Sequence, residues 1–349
     1  MKTLRLQPDA VKQAADILRK GGLVAFPTET VYGLGADGLN PVAVAKIYQA
    51  KGRPSDNPLI LHICDDQMLE QIVSSIPDTA RRLMQAFWPG PLTLVFPKSQ
   101  AVPELVSAKL ATVAVRMPAH ALALALIRET NRPIAAPSAN TSTRPSPTKA
   151  SHVLHDLDGR IEAILLGEDC LVGMESTIVD VSVPVPCLLR PGGITVEELR
   201  IVLPELIVNP GLLSMDVSQP NPKAPGMKYR HYAPDAQVIL LTGSQQEQYA
   251  QLLDYIRLQD ACPCGLLASE EFIQGWLEKK NNMQISLFSL GSRETDRLLG
   301  QQIYDLLRQA DQRGIRTLLA ESLSETGMGH TVMNRLKKAA GEQEKGAKK

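Results

Sequence analysis

Pro27-Thr-Glu-Thr-Val-Tyr-Gly-Leu-Gly35 runs straight into Ala36-Asp-Gly38, and the reading of its glycines decides what fold this chain carries. Gly33-Leu-Gly-Ala-Asp-Gly38 fits the spacing G-x-G-x-x-G and precedes a helical segment. A dinucleotide fingerprint needs a tight turn directly after a strand, and an acid closing the next strand about twenty residues on. Here six residues separate the first glycine from the preceding strand candidate, Gly22-Leu-Val-Ala-Phe26, and no such acid follows. The stretch therefore reads as a Thr- and Gly-rich turn whose glycines let the backbone bend closely beside a ligand. A purely structural turn is the alternative.

Outward from this turn, the first half alternates short β-like runs with helical segments. Pro8-Asp9 opens a helical pattern to about Arg19, closed by Gly21-Gly22. Asn40 is placed as an N-cap, with Pro41 at the first helical position, for a helix over 42–50. Residues 59–63, 92–96, 112–117, 134–136, 177–181 and 188–190 read as strands. Thr195 and Glu198 form a capping box. Prolines 204, 210, 220, 222, 225 and 234 then break regular structure and mark an extended connector. Its end, Ala224-Pro-Gly-Met-Lys-Tyr-Arg-His-Tyr-Ala-Pro234, is dense in cations and aromatics, unlike a Gly/Ser spacer. A second alternation follows: strands over 238–241, 265–268 and 315–320, helices over 245–258 and 294–309. It predicts a small parallel-sheet α/β domain. The Lys- and Glu-rich tail after Gly341 reads as disordered.

Composition bounds the possibilities. At 349 residues, two domains are expected. Lys+Arg and Asp+Glu both number 37, so bulk charge gives no steering towards nucleic acid or membrane, and any basic surface must be local. The five cysteines form no C-x-x-C pair, and no histidine stands at ligand spacing from Cys262-Pro-Cys264, which argues against zinc. Their odd number points to a reducing, cytoplasmic setting. Neither a signal core nor a spanning apolar stretch is present.

Lys51 and Arg53, in Lys51-Gly-Arg-Pro-Ser-Asp-Asn57, follow a helix and precede Pro54. In a loop the two can point to one side and grip phosphate oxygens, Arg through its fork and Lys as a point charge. Taken alone, they read more simply as solvated charges that suit a helix C-terminus. In Leu59-Ile-Leu-His-Ile-Cys64, His62 shares a face with Ile60 and Cys64. A lone histidine there is most often a satisfied core residue. Arg116, in Thr112-Val-Ala-Val-Arg-Met117, says more. A mid-strand arginine is costly if buried unpaired, so a ligand carboxylate or phosphate is favoured over a structural ion pair. Pro137-Ser-Ala-Asn-Thr-Ser-Thr-Arg-Pro-Ser-Pro147 follows a strand, where α/β folds place ligands. The plain alternative is a solvated loop with Ser146 capping a helix that begins at Pro147. Ser176, Thr177 and Arg190 add similar groups at strand ends, while His152 and His155, beside Asp156 and Asp158 on one helix, read as surface. No Ser-His-Asp set is legible. Oxygen donors, backbone amides and guanidinium groups without a nucleophile suit holding a polyanion beside a small polar molecule.

Pro27 to Gly35, Lys51-x-Arg53 and Ser138-x-Asn140 together resemble the signature of the YrdC/Sua5 family, the threonylcarbamoyl-AMP synthases, and the resemblance covers nearly the whole chain. Residues from about 5 to 200 resemble the YrdC-like catalytic domain. The connector and the second domain, ending Gly327-Met-Gly-His-Thr-Val-Met-Asn-Arg335, resemble the longer Sua5 form. The resemblance implies a twisted open mixed sheet with flanking helices over 1–203 and a connector or lid over 204–234. It further implies a smaller Rossmann-like α/β domain over 235–341, followed by a disordered tail over 342–349.

The implied reaction joins L-threonine, bicarbonate and ATP into L-threonylcarbamoyl-adenylate and pyrophosphate, a nucleotidyl transfer. The product feeds N6-threonylcarbamoylation of adenosine 37 in tRNAs that read ANN codons. By resemblance, Thr30, His62, Arg116, Ala136 and Ser176 hold threonine. Lys51, Arg53, Asn57, Thr112, Ser138, Asn140, Ser146, Arg190, Tyr229 and Tyr232 hold ATP, with Lys51 and Arg53 also acting in catalysis, and the run from Tyr229 to Tyr232 closes over the site. The implied cofactor is Mg2+ carried on the ATP phosphates, bound through substrate oxygens and water rather than a protein cage. A later machinery that transfers the product to tRNA is implied as a partner, with direct tRNA contact left open, and a membrane is not implied. Two rivals stand beside this reading. One is an RNA-binding module, against which the neutral chain lacks an aromatic-basic platform in its first domain. The other is a carbamoyltransferase like the related domain of hydrogenase maturation factors, whose zinc-finger and acylphosphatase-like segments are missing here.

Overall fold

The computed structural model describes residues 2–212, 232–258, 263–279, 285–295 and 298–341. The lid stretch from Lys228 to His231 with Tyr229, Cys262 and the tail over 342–349 lie outside the described residues. Two compact units divide the chain: Met1–Ser142 with Ser146–Tyr229, and Thr143–Pro145 with Arg230–Lys349.

The first unit is built on one mixed sheet. Its strands are β1 Leu4–Leu6, β2 Val24–Phe26, β3 Gly33–Asp37, β4 Ile60–His62, β5 Leu92–Pro97 and β6 Thr112–Arg116, then β7 Ile134–Ala135, β8 Ala163–Leu165, β9 Thr177–Asp180, β10 Cys187–Arg190 and β11 Ile207–Val208. They lie in the order β1-β8-β2-β3-β7-β4-β6-β5-β9-β10-β11. Parallel pairs such as β4 with β6 and β5 with β9 alternate with antiparallel ones such as β5 with β6. The helices are α1 Val11–Arg19, α2 Pro41–Lys51, α3 Asp66–Ile72, α4 Asp78–Phe87, α5 Glu104–Ser107, α6 Ala121–Thr130, α7 Ala150–Leu157 and α8 Val196–Val202. Apolar residues of α1, α2, α3, α4 and α6 join one core with Leu61, Leu94, Val113 and Val115 of the central strands.

Local signals explain several of these elements. Asn40 caps α2, its side chain accepting from the Val42 and Ala43 amides, and Gly52 ends the helix at φ 61°. Thr195 and Glu198 close their capping box at the start of α8. Other expectations are corrected. Residues 33–37 are strand β3, not a turn, because β2 pairs with them through Ala25↔Leu34 and Phe26↔Gly33. The glycines are there for space: a Cβ on Gly35 would stand 2.9 Å from a Phe26 ring carbon and 3.0 Å from Ile134. Part of the expected connector is ordered too, since β11 pairs parallel with β10. Helix α7 begins at Ala150 with Lys149 at its cap position, so Ser146 caps no helix. His152 is buried rather than superficial, and its Nδ1 accepts from the Thr148 amide at 3.3 Å.

In the second unit β12 Gln237–Leu240, α9 Gln245–Leu258, β13 Cys264–Ala268, α10 Glu270–Lys279, β14 Ser286–Ser289, α11 Ile303–Gln312, β15 Thr317–Ala320 and α12 Gly327–Ala340 follow in turn. The sheet order is β12-β15-β13-β14, parallel throughout, the Rossmann-like arrangement expected of this part. The helix expected over 294–309 instead begins at Ile303. Upstream, Gly291 takes φ 97° and Glu271 accepts from the Arg293 amide at 3.0 Å, which fixes a turn there. Among the described residues, no helix is long and apolar enough to cross a membrane.

Candidate active site

Strand pairing places the candidate residues on one face of the first sheet. Residues paired across neighbouring strands share a face, as do alternate residues along one strand. Ile60 pairs with Ala114, Ala114 with Val95, and Thr93 with Ile178. Ile60, Val95, Ala114 and Ile178, joined by Leu189, form a small buried apolar cluster separate from the main core. This is the floor of the site. His62 and Arg116, themselves a cross-strand pair, rise at one end of it. At the other end Thr112 opens β6, four residues from Arg116 and so roughly 13 Å away along the strand.

At the first end, Arg116 donates through Nε to the Gly90 carbonyl at 3.1 Å and through Nη1 to Thr30 Oγ1 at 2.8 Å. Its Nη2 lies 2.7 Å from Glu29 Oε2. A structural ion pair is therefore present where the sequence favoured a ligand anion, yet neither Nη2 nor Oε2 has an aligned hydrogen-bond partner. The Thr30 hydroxyl is 2.8 Å from that of Thr28, which donates to the Val31 carbonyl at 2.7 Å. Ser176 lies against Thr93, hydroxyl to hydroxyl at 2.7 Å, and Arg190 clasps its carbonyl through Nε at 3.2 Å and Nη2 at 2.9 Å. Ser146 is buried and donates to Glu175 Oε1 at 2.6 Å.

His62 stands edge-on to the Phe26 ring, with centroids 6.4 Å apart. Burial, reinforced by the charge of Arg116, pulls its pKa down to about 3, so the imidazole is neutral at physiological pH. Its Nδ1 is buried without a partner. The backbone of Ile60 and Ile134 bonds to the ring and partly offsets the effect of burial.

At the second end, Lys51 is buried, which removes the reading of a solvated surface charge. Its Nζ donates to the Ser138 and Asn140 carbonyls, both at 2.5 Å. Ser138 Oγ in turn donates to Asn140 Oδ1 at 2.5 Å, so one lysine shapes the whole Ser138-Ala-Asn140 turn. Arg53 Nη2 donates to the Pro58 carbonyl at 3.1 Å, and the Tyr48 hydroxyl, whose pKa burial raises to about 12, donates to the Asn57 carbonyl at 3.2 Å. The side chain of Asn57 is buried with both its amide oxygen and nitrogen unpartnered. Between the two ends lies Ala136, whose amide donates to the Ile60 carbonyl at 3.0 Å. Tyr232 belongs to the second unit, where its ring lies 5.3 Å from that of Tyr304 and under the Arg335 guanidinium. Tyr229 lies outside the described residues.

Glu29, Thr28, Thr93 and Glu175 escaped the sequence reading. Glu29 sits inside the quoted run, but its partner Arg116 comes from a distant strand, and no local spacing couples them. The site's chemical character follows from its unpartnered atoms: Glu29 Oε2, Asn57 Oδ1 and Nδ2, His62 Nδ1 and Arg116 Nη2 are all buried and all lie in this unit. Buried polar groups are nearly always paired by protein, water or ligand, so this set, with Glu29 and Arg116 already ion-paired, suits a small polar molecule.

Comparison with known proteins agrees with this geometry. The family model Sua5/YciO/YrdC, described as "Telomere recombination", matches residues 16–192, and the model "Threonylcarbamoyl-AMP synthase, C-terminal domain" matches 194–341. A threonylcarbamoyl-AMP synthase of Pyrococcus abyssi is 44% identical over 97% of this chain and 96% of its own length. One of Bacillus subtilis is 47% identical over 95% and 93%. The crystal structure of P. abyssi Sua5 complexed with L-threonine superposes with a TM-score of 0.89 at 43% identity, covering 98% of both chains. Escherichia coli YciO, at 22% identity and a TM-score of 0.50 over 55% of this chain, shares the fold.

Proposed function

This chain belongs to the Sua5/YciO/YrdC family, and from that premise we propose how its first unit works as a threonylcarbamoyl-AMP synthase. The observation that carries the proposal is the set of buried, unpartnered polar atoms above one apolar floor. Threonine takes the end formed by Thr30, His62, Arg116, Ala136 and Ser176, its carboxylate on the free N–H groups of Arg116. ATP takes the end formed by Lys51, Arg53, Asn57, Thr112, Ser138 and Asn140, with Ser146 and Arg190 reaching it from the threonine side. Threonine binds with its amine protonated; once that ammonium gives up a proton to solvent, the free amine either adds carbon dioxide with loss of a second proton or condenses with bicarbonate with loss of water, and a carbamate results. A carbamate oxygen then attacks the α-phosphate, and pyrophosphate leaves.

No side chain needs to act as nucleophile. The protein supplies alignment and positive charge at the phosphates, from Lys51 and Arg53 above all. Neutral His62 contributes a hydrogen bond without adding charge. Among the described residues, no group of three or more His, Cys, Asp or Glu is arranged to hold a metal. A Mg2+ ion would arrive on the ATP phosphates and be held there through substrate oxygens and water, while Ser146, which donates to Glu175, lines the same end. Mg2+ supplies charge neutralisation on the phosphates when bound. The product, a reactive mixed anhydride, suits onward transfer to tRNA in the cytoplasm.

Pyrophosphate release tests this reading. It is expected to require ATP, threonine and bicarbonate together. Release that proceeds without threonine, or carbamoyl phosphate replacing both bicarbonate and threonine, would support a carbamoyltransferase instead. Salt-dependent tRNA binding with no turnover of ATP would support an RNA-binding module.

A further inference from the structure

We propose that Glu29 makes the amino-acid end of the site selective for a zwitterion, holding the substrate's ammonium beside its Oε2 while Arg116 holds the carboxylate. The inference rests on the threonine reading above and goes further, to what that end excludes. Glu29 is 7% exposed and Arg116 4%. One carboxylate oxygen, Oε1, is occupied by the Ala119 amide at 3.0 Å, while Oε2 has no aligned donor despite its closeness to Arg116. A guanidinium carries five N–H groups. Those on Nε and one on Nη1 go to Gly90 and Thr30, and Nη2 stands 2.7 Å from Glu29 Oε2, so the second N–H of Nη1 and the outer one of Nη2 are what a ligand carboxylate could meet.

Charge decides which ligand. A buried arginine without a counter-ion would take any small carboxylate. With Glu29 at 2.7 Å, the corner is neutral overall, and an incoming anion meets a carboxylate as well as a guanidinium. Neutral His62 adds no charge to offset that repulsion. An α-amino acid brings a cation with its anion, so its ammonium can share Glu29 Oε2 while its carboxylate shares the Arg116 guanidinium. A carboxylic acid of the same shape without the amine leaves Oε2 unpartnered and faces the repulsion, a discrimination built from an unfavourable contact with the wrong ligand.

The test is equilibrium titration of the full-length chain and of Glu29→Gln with L-threonine and with 3-hydroxybutanoate, its analogue lacking the amine. ATP binding by the variant reports that it is folded. The wild-type chain is expected to prefer threonine by about 100-fold, and Glu29→Gln to weaken threonine by about tenfold or more, the range of a charge-assisted hydrogen bond. The same variant is expected to bind 3-hydroxybutanoate as well as the wild type or better, because Arg116 has lost its counter-charge. A merely structural role would weaken both ligands by one factor, and that outcome overturns the proposal, as does a variant that changes neither. Should Glu29→Gln fail to fold, Glu29→Asp takes its place with the same two expected changes, and wild-type binding of 3-hydroxybutanoate as tight as that of threonine overturns the proposal in either case. A wild-type chain that binds threonine but shows no such selectivity leaves the threonine reading standing, whereas one that binds no threonine removes both.

Discussion

Buried polar groups occur in both units, but they are treated differently. In the second unit Glu321 accepts from the Ser269 amide at 2.6 Å and pairs with Arg293. Gln248 bonds the Gly243 carbonyl and the Ser322 amide, both at 3.0 Å. Fully buried Arg335 donates through Nε to the Tyr304 hydroxyl at 3.1 Å and through Nη1 to Asn334 at 2.8 Å. In the first unit Glu29, Asn57, His62 and Arg116 are equally buried and retain unpartnered atoms. Burial of charge therefore does not mark function here. The gathering of Glu29, Asn57, His62 and Arg116 in one unit, on segments that the sheet brings together, is what points to a polar substrate.

Substitutions in the two regions should then separate stability from activity. The largest effect is expected at Arg116. Arg116→Ala should raise the threonine KM by about 100-fold and, by stranding Glu29, cost about 3–5 kcal/mol of stability in urea unfolding. An unchanged threonine KM in a folded variant would detach Arg116 from the amino-acid end. Lys51→Ala should come next, lowering kcat for pyrophosphate release by about 10²–10³-fold. Arg335→Met is its counterpart in the second unit, expected to cost about 1–3 kcal/mol while the folded enzyme keeps its threonine KM within about twofold. A large KM change there would break the comparison.

Asn57→Leu sharpens it further. Its side-chain amide has no partner to lose, so the variant should match or exceed wild-type stability by up to about 1 kcal/mol while losing about tenfold in kcat/KM for ATP. Lower stability would show that Asn57 is structurally satisfied after all. The smallest effect is a pH dependence. Folding depresses the pKa of His62 from 6.5 to about 3, so between those values the unfolded chain binds the extra proton. Stability attributable to His62 is whole above pH 6.5 and falls on acidification towards pH 3, by roughly 1.4 kcal/mol per pH unit at most. Unfolding midpoints across that window should fall less steeply for His62→Asn than for the wild type. Parallel slopes would remove the burial argument.

The sequence showed the strands whose residues are branched and apolar, such as β5 and β6, and the helices with explicit caps, such as α2 and α8. It missed β3, because glycines carry no strand propensity of their own. Their strand conformation is imposed by pairing with β2, and their lack of a Cβ makes room for Phe26, the ring against which His62 stands. Most of the candidate site was legible as residue types, but not as partnerships. Lys51 looked like a surface cation and proved to be the buried post of the Ser138-Ala-Asn140 turn. Arg116 looked like a lone anion receptor and proved to share its charge with Glu29. Both partnerships join segments far apart in sequence, which only the sheet order brings together.

Carbon-labelled bicarbonate tests the central claim most directly, with the fate of the label followed by separation of the nucleotide products. Label is expected in an adenylate only when ATP and L-threonine are both present, and not with folded Arg116→Ala at threonine concentrations that saturate the wild type. Label entering an adenylate without threonine, or entering it equally well in that variant, would contradict the account.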